Sequence, residues 1–298
     1  MKRRFVTLDV FTNRRYSGNP LAVVLDAEGL DGAAMQAVAR EFNLSETVFV
    51  LPPEQPGQRA RLRIFTASAE LPFAGHPTVG TAVLLNRIDG GGARDLVFQE
   101  GIGPIHCATQ ATGHDGGRAR FRLARLPEEV GATGDSTAIA AALGLEAGDI
   151  GVEGFAPSIW SAGLSFACVP VTGLDAIRRC QPRLQHWAAA FAQGERASAY
   201  VFCRETTEAG STIHARMFAP HLGVFEDPAT GSAAAAFAGL YIKSVQPTDG
   251  DHELVIEQGY EMGRPSRIGL SLGVRGGRLA EAAIGGEAIV VSEGTIEA

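Results

Sequence analysis

TVGTAVLLN (residues 78–86) and SAAAAFAGLYI (residues 232–242) decide the architecture. A helix on a protein surface carries one apolar stripe, but these two are apolar all round, so each has to be enclosed. Short strand-like segments surround the first. Phe5–Phe11 and Leu21–Leu25 flank the turn TNRRYSGNP, Val48–Leu51 and Leu62–Phe65 precede the helix, and Leu96–Gln99, Ile105–Ala108 and Arg120–Leu123 follow it. LDGAAMQAVAREF (30–42) has the apolar spacing of a one-faced helix, with Asp31 placed as its N-cap. Strands that enclose a single helix imply an α+β fold in which a sheet curls around that helix.

The arrangement is repeated. GNPLAVVLDAEGLD (18–31) resembles AGLSFACVPVTGLD (162–175), SETVFV (45–50) resembles SAYVFC (198–203), and RIF (63–65) matches RMF (216–218). Three matches in the same order, at offsets near half the chain, mark an internal duplication. Two pseudo-symmetric domains are therefore expected, residues 1–120 and 121–285. A final strand within 286–298 is expected to return to the first domain.

Composition narrows the chemistry. The chain has 298 residues, 45% hydrophobic and 20% charged, with a net charge of −7 and no basic block, which speaks against nucleic acid or an anionic membrane as partner. Lys2 and Lys243 are the only lysines, so Schiff-base chemistry has almost no residue to run on. Cys107, Cys168, Cys180 and Cys203 form no CxxC pair, and the seven histidines show no metal-ligand spacing; His214 and His221 read as background. Asp9 interrupts the apolar start of MKRRFVTLDVF, so no signal peptide is read there and a cytoplasmic protein is expected.

The chemistry-bearing residues cluster at the starts of the two apolar helices. In ELPFAGHPTVGTA (70–82), His76 follows Gly75, and in EDPATGSAAAAF (226–237), Asp227 and Ser232 flank Gly231. A helix start offers unpaired N–H groups and a positive dipole end, so two such starts facing each other across a cleft would hold a small carboxylate. The plainer alternative is that Thr78 and Ser232 simply cap their helices. Glu46, in NLSETVF, has Ala199 as its counterpart in the second half, an asymmetry expected where one copy of a duplicated site keeps the catalytic group. ATGSA is not a nucleophile elbow, which disfavours serine hydrolysis.

LDVFTNRRYSGNPLAVV, FNLSETVFV, IFTASAELPFAGHPTVGTA, FEDPATGSAAAA and EQGYEMGRPS together resemble the PhzF-like isomerases of phenazine biosynthesis, relatives of diaminopimelate epimerase and proline racemase. The resemblance covers about residues 5–273. It implies the diaminopimelate epimerase-like fold and a homodimeric, cofactor-independent isomerase without a metal. Such an enzyme moves a proton within a small unsaturated carboxylate of the dihydro-hydroxyanthranilate type. It also implies that Glu46 is the general acid/base and that His76, Asp227, Ser232, Gly75 and Gly231 bind substrate. Ala67 stands where such sequences carry proline. The paired cysteines of the epimerases and racemases would fall near Ala74 and Thr230, which disfavours a two-thiol racemase. An epimerase of small amino or hydroxy acids, and a small-anion-binding protein without turnover, remain the competing readings. Specificity is expected from the loops 110–118 and 204–211.

Overall fold

The computed structural model describes residues 1–191, 194 and 197–298. The chain divides into two compact units, Met1–Arg122 with Gly285–Ala298, and Leu123–Ile284.

The first unit contains β1 (Lys2–Val10), β2 (Asn19–Val24), α1 (Gly32–Phe42), β3 (Glu46–Leu51), β4 (Ala60–Phe65), β5 (Glu70–Leu71), α2 (Gly75–Ile88), β6 (Ala93–Glu100), β7 (Gly103–Thr112) and β8 (Gly116–Arg122). The second contains β9 (Glu128–Gly131), α3 (Ser136–Leu143), β10 (Ser158–Ser161), β11 (Ser165–Pro170), α4 (Leu174–Arg179), α5 (Leu184–Ala190), β12 (Ser198–Cys203), β13 (Ile213–Ala219), β14 (Val224–Asp227), α6 (Gly231–Val245), β15 (Gly250–Gln258) and β16 (Ser266–Arg275). The last strand, β17, runs over Arg278–Glu297 and begins well before the final strand expected within 286–298.

In the first unit β1 pairs antiparallel with β2, β2 parallel with β3, β3 antiparallel with β4, β4 parallel with β6, and β6 antiparallel with β7. β7 continues to β8, and β17 pairs with both β8 and β1, so the sheet closes on itself. In the second unit β10, β11, β12, β13, β15 and β16 follow one another with the same alternation of antiparallel and parallel pairing. Repetition of both strand order and pairing sense is the structural form of the duplication.

The apolar helices are enclosed as their composition requires. Every residue of α2 from Gly75 to Asn86 is buried, as is the Ala233–Leu240 run of α6. Alanines let the sheet approach α6 closely, and Gly239 lies where a Cβ would collide with the Trp160 ring. Amphipathic α1 buries Met35, Val38 and Ala39, and Asp31 caps it by accepting from Ala34 N at 2.8 Å. Among the described residues no helix is long and apolar enough to cross a membrane.

Candidate active site

In the first unit, parallel pairing sets Glu46, the first residue of β3, beside Leu21 of β2. One residue earlier on β2, the Pro20 carbonyl hydrogen-bonds the His76 ring, which enters from the first turn of α2. Glu46 Oε2 and His76 Nε2 come within 3.3 Å, with side-chain exposures of 17% and 6%. Burial pushes the imidazole down to about 3, so His76 is neutral at physiological pH. A neutral ring has one N–H, and a carbonyl can only accept. The N–H is therefore committed to Pro20, leaving the ring's second nitrogen as an acceptor. Glu46 on β3 and Gly75 and His76 on α2 thus form one constellation on two adjoining segments.

Neither apolar helix is capped by a side chain. The N-caps are Ala74 and Thr230, and neither makes a side-chain cap hydrogen bond. Thr78, a candidate cap by sequence, lies inside α2, with its hydroxyl turned to the Ala74 carbonyl at 2.7 Å and to Glu100 Oε1 at 2.8 Å.

In the second unit, Asp227 ends β14 and its carboxylate Oδ2 accepts from Thr230 Oγ1 at 2.5 Å. Fully buried Gln258 ties this turn together. Its Nε2 donates to the Asp227 carbonyl at 2.8 Å and to Thr230 Oγ1 at 2.9 Å, and its Oε1 accepts from Thr230 N at 3.2 Å. Asp227 and the Gly231–Ser232 helix start are thereby fixed relative to each other. Gln258 escaped the sequence reading because its partners, Asp227 and Thr230, lie 31 and 28 residues back along the chain.

His214, read as background, is the centre of a buried cluster in the same unit. Its Nδ1 lies 2.9 Å from Glu257 Oε2, and its Nε2 lies 3.1 Å from Glu261 Oε1. Burial pulls the His214 pKa down, but the two carboxylates outweigh it and the net shift is upward, which favours the ring with a proton on both nitrogens. Glu257 also accepts from the N–H groups of Thr207 and Glu208, which pins the 204–211 loop. All four cysteines are free and buried, and burial pushes Cys180 and Cys203 up to about 12 and Cys107 and Cys168 still higher. Two surface cavities of the first unit, about 250 and 710 Å³, are lined by residues other than Glu46 and His76.

Each of the two repeated units thus wraps its strands around one apolar helix, and Glu46 and His76 meet at the start of the first. The family model for phenazine biosynthesis-like proteins (PhzC-PhzF) matches residues 8–294, and the chain belongs to this family. An uncharacterised isomerase of Mesorhizobium japonicum is 52% identical over 99% of this chain and 98% of its own length. A trans-2,3-dihydro-3-hydroxyanthranilate isomerase of Pseudomonas aeruginosa is 32% identical over 98% of each chain. The crystal structure of a Bacillus anthracis phenazine biosynthesis protein of the PhzF family superposes with a TM-score of 0.90 at 29% identity, covering 100% of both chains. The architecture is the α+β diaminopimelate epimerase-like fold.

Proposed function

We propose that the protein isomerises a small unsaturated carboxylate of the dihydro-hydroxyanthranilate type, with Glu46 as the shuttling acid/base. The observation that carries this reading is the approach of Glu46 Oε2 to within 3.3 Å of neutral His76 at the start of α2. The Glu46 carboxylate takes a proton from a carbon adjacent to the conjugated system. The released electron pair shifts along that system, and the protonated Glu46 returns the same proton at the far carbon, restoring the carboxylate. Gly75 and the uncapped α2 start favour the substrate carboxylate through backbone N–H groups, while the acceptor nitrogen of neutral His76 orients a donor group of the substrate without adding charge. Asp227, Gly231 and Ser232 are the substrate ligands proposed from the second unit. A homodimer is proposed as the working form, to be read from its mass in light scattering.

The test is turnover of trans-2,3-dihydro-3-hydroxyanthranilate, the substrate in the name of the Pseudomonas relative. Glu46→Gln is expected to fold normally and to lose about 10²–10⁴-fold in rate, because an amide cannot take up and return a proton. Deuterium at the migrating position should be carried in part to the product. An active Glu46→Gln variant would reject the assignment. The epimerase alternative needs a second base, and the places where a thiol pair would stand hold Ala74 and Thr230.

A further inference from the structure

Buried Glu100 takes no part in the proposed chemistry, and its place in the fold gives it another role. The pairing register identifies its counterpart. β6 runs parallel to β4 with Arg61 opposite Gln99, and β15 runs parallel to β13 with His214 opposite Glu257. RIF and RMF make Arg61 and His214 equivalent, so Gln99 corresponds to Glu257 and Glu100 to Gln258. The local sequences agree: VFQEG at 97–101 and VIEQG at 255–259. The glycines that follow also behave alike. A Cβ on Gly101 would come within 2.8 Å of the Pro72 backbone, and one on Gly259 within 2.6 Å of the Pro228 carbonyl. Pro72 and Pro228 each stand three residues before the glycine that opens α2 or α6.

Both side chains therefore reach the first turn of an enclosed helix, one as an amide and the other as a carboxyl group. Thr78 shows which form that carboxyl takes. Its hydroxyl has one hydrogen and two close oxygens, the Ala74 carbonyl at 2.7 Å and Glu100 Oε1 at 2.8 Å. The carbonyl can only accept, so it takes the threonine hydrogen. The second contact is a hydrogen bond only when Glu100 donates.

We infer that Glu100 is a positioning residue that works as a neutral carboxylic acid, locking the α2 start that carries Gly75 and His76 as the Gln258 amide locks the start of α6. Burial pushes the Glu100 pKa up to about 8. The groups facing it are few. From α2 it meets uncharged Thr78, and from β7 it meets the Cys107 thiol, which its own burial keeps protonated. On β4, the guanidinium of Arg61 is engaged by Glu54.

The experiment compares wild type, Glu100→Gln and Glu100→Leu, following His76 ring signals by NMR, thermal midpoint against pH, and turnover of trans-2,3-dihydro-3-hydroxyanthranilate. In wild type the His76 signals should step with a midpoint at about 8 as Glu100 ionises, far from the ring's own protonation. Glu100→Gln should abolish the step yet keep turnover, since the amide can also donate to Thr78. A folded carboxyl raised above its unfolded value stabilises fully below about 4.5, and that contribution is lost as pH climbs to about 8. The Glu100→Gln curve should lack this decline. Glu100→Leu, unable to donate, should lower kcat by ~10–100-fold through a displaced helix start. The inference is overturned by a step that persists in Glu100→Gln, by no step in wild type, or by Glu100→Leu turning over as fast as Glu100→Gln. The NMR and thermal readouts need no substrate, so they stand or fall separately from the function proposed above.

Discussion

An imidazole in water is half protonated near pH 6.5, but burial holds His76 neutral, outweighing the Pro20 carbonyl contact, which favours the protonated ring. The pH–rate profile should therefore show no limb near 6.5 that belongs to this residue. His76→Asn should reduce kcat/KM and leave the profile's shape unchanged; a limb near 6.5 that disappears in the variant would show that His76 titrates during turnover. The cysteines offer a second check. Because all four are buried with their thiols held protonated, alanine replaces them better than serine, whose hydroxyl would need a partner in the core. The quadruple alanine variant should retain turnover at whatever cost in stability, whereas a thiol-based enzyme would be dead. Glu46, Gly75 and His76 were legible in the sequence because they lie in short motifs. The pairing that brings them together was not, since 30 residues separate Glu46 from His76 and the parallel β2–β3 register sets Glu46 beside Leu21, next to Pro20 and the ring.

The α2 helix begins at Gly75, three residues before the Thr78 start read from the apolar run. Pro77 explains the difference: GHP reads as a loop, yet proline in a first turn gives up only an N–H that has no helical partner there. The correction matters because it puts His76 on the helix. In the second unit, the strand leading to Asp227 is tied down by a pair that no local pattern reveals. Arg216 donates through Nε and Nη2 to both carboxylate oxygens of Glu226 at 2.8 Å, and its Nη1 donates to the carbonyls of Ile177 and Cys180 at the end of α4. Both side chains are largely buried, at 9% and 12% exposure. Removing one member strands the other charge, so Arg216→Ala should cost about 3–5 kcal/mol in urea unfolding. Joint replacement by apolar residues of similar volume should recover much of that loss. Equal destabilisation in the single and paired variants would show that the α4 carbonyl contacts, and not the ion pair, carry the effect.

Duplication was the most legible feature at the scale of the whole chain, since strand order and pairing sense recur in both units. The repeats have diverged in charge, and stability against pH should reveal it. In the first unit His76 has a folded pKa below its unfolded value, so the unfolded chain binds the extra proton. Its contribution is complete above about 6.5 and is lost as pH falls towards about 3. In the second unit His214 has its folded pKa raised, so its contribution is complete below 6.5 and is lost as pH rises through the folded value. Burial raises the pKa values of Glu257 and Glu261, but backbone N–H groups and His214 outweigh it at Glu257, and His214 leads the lowering at Glu261. Both are lowered overall, so what they contribute is present above 4.5 and is lost as pH falls through their folded values. Thermal midpoints should therefore decline on both sides of neutrality for separate reasons. His76→Asn should flatten the limb just below 6.5 and leave the alkaline one intact. His214→Gln should remove its share of the alkaline limb while lowering the midpoint at neutral pH, because Glu257 and Glu261 lose the cation between them. An alkaline limb unchanged in His214→Gln would mean that the ring is not doubly protonated in the folded protein.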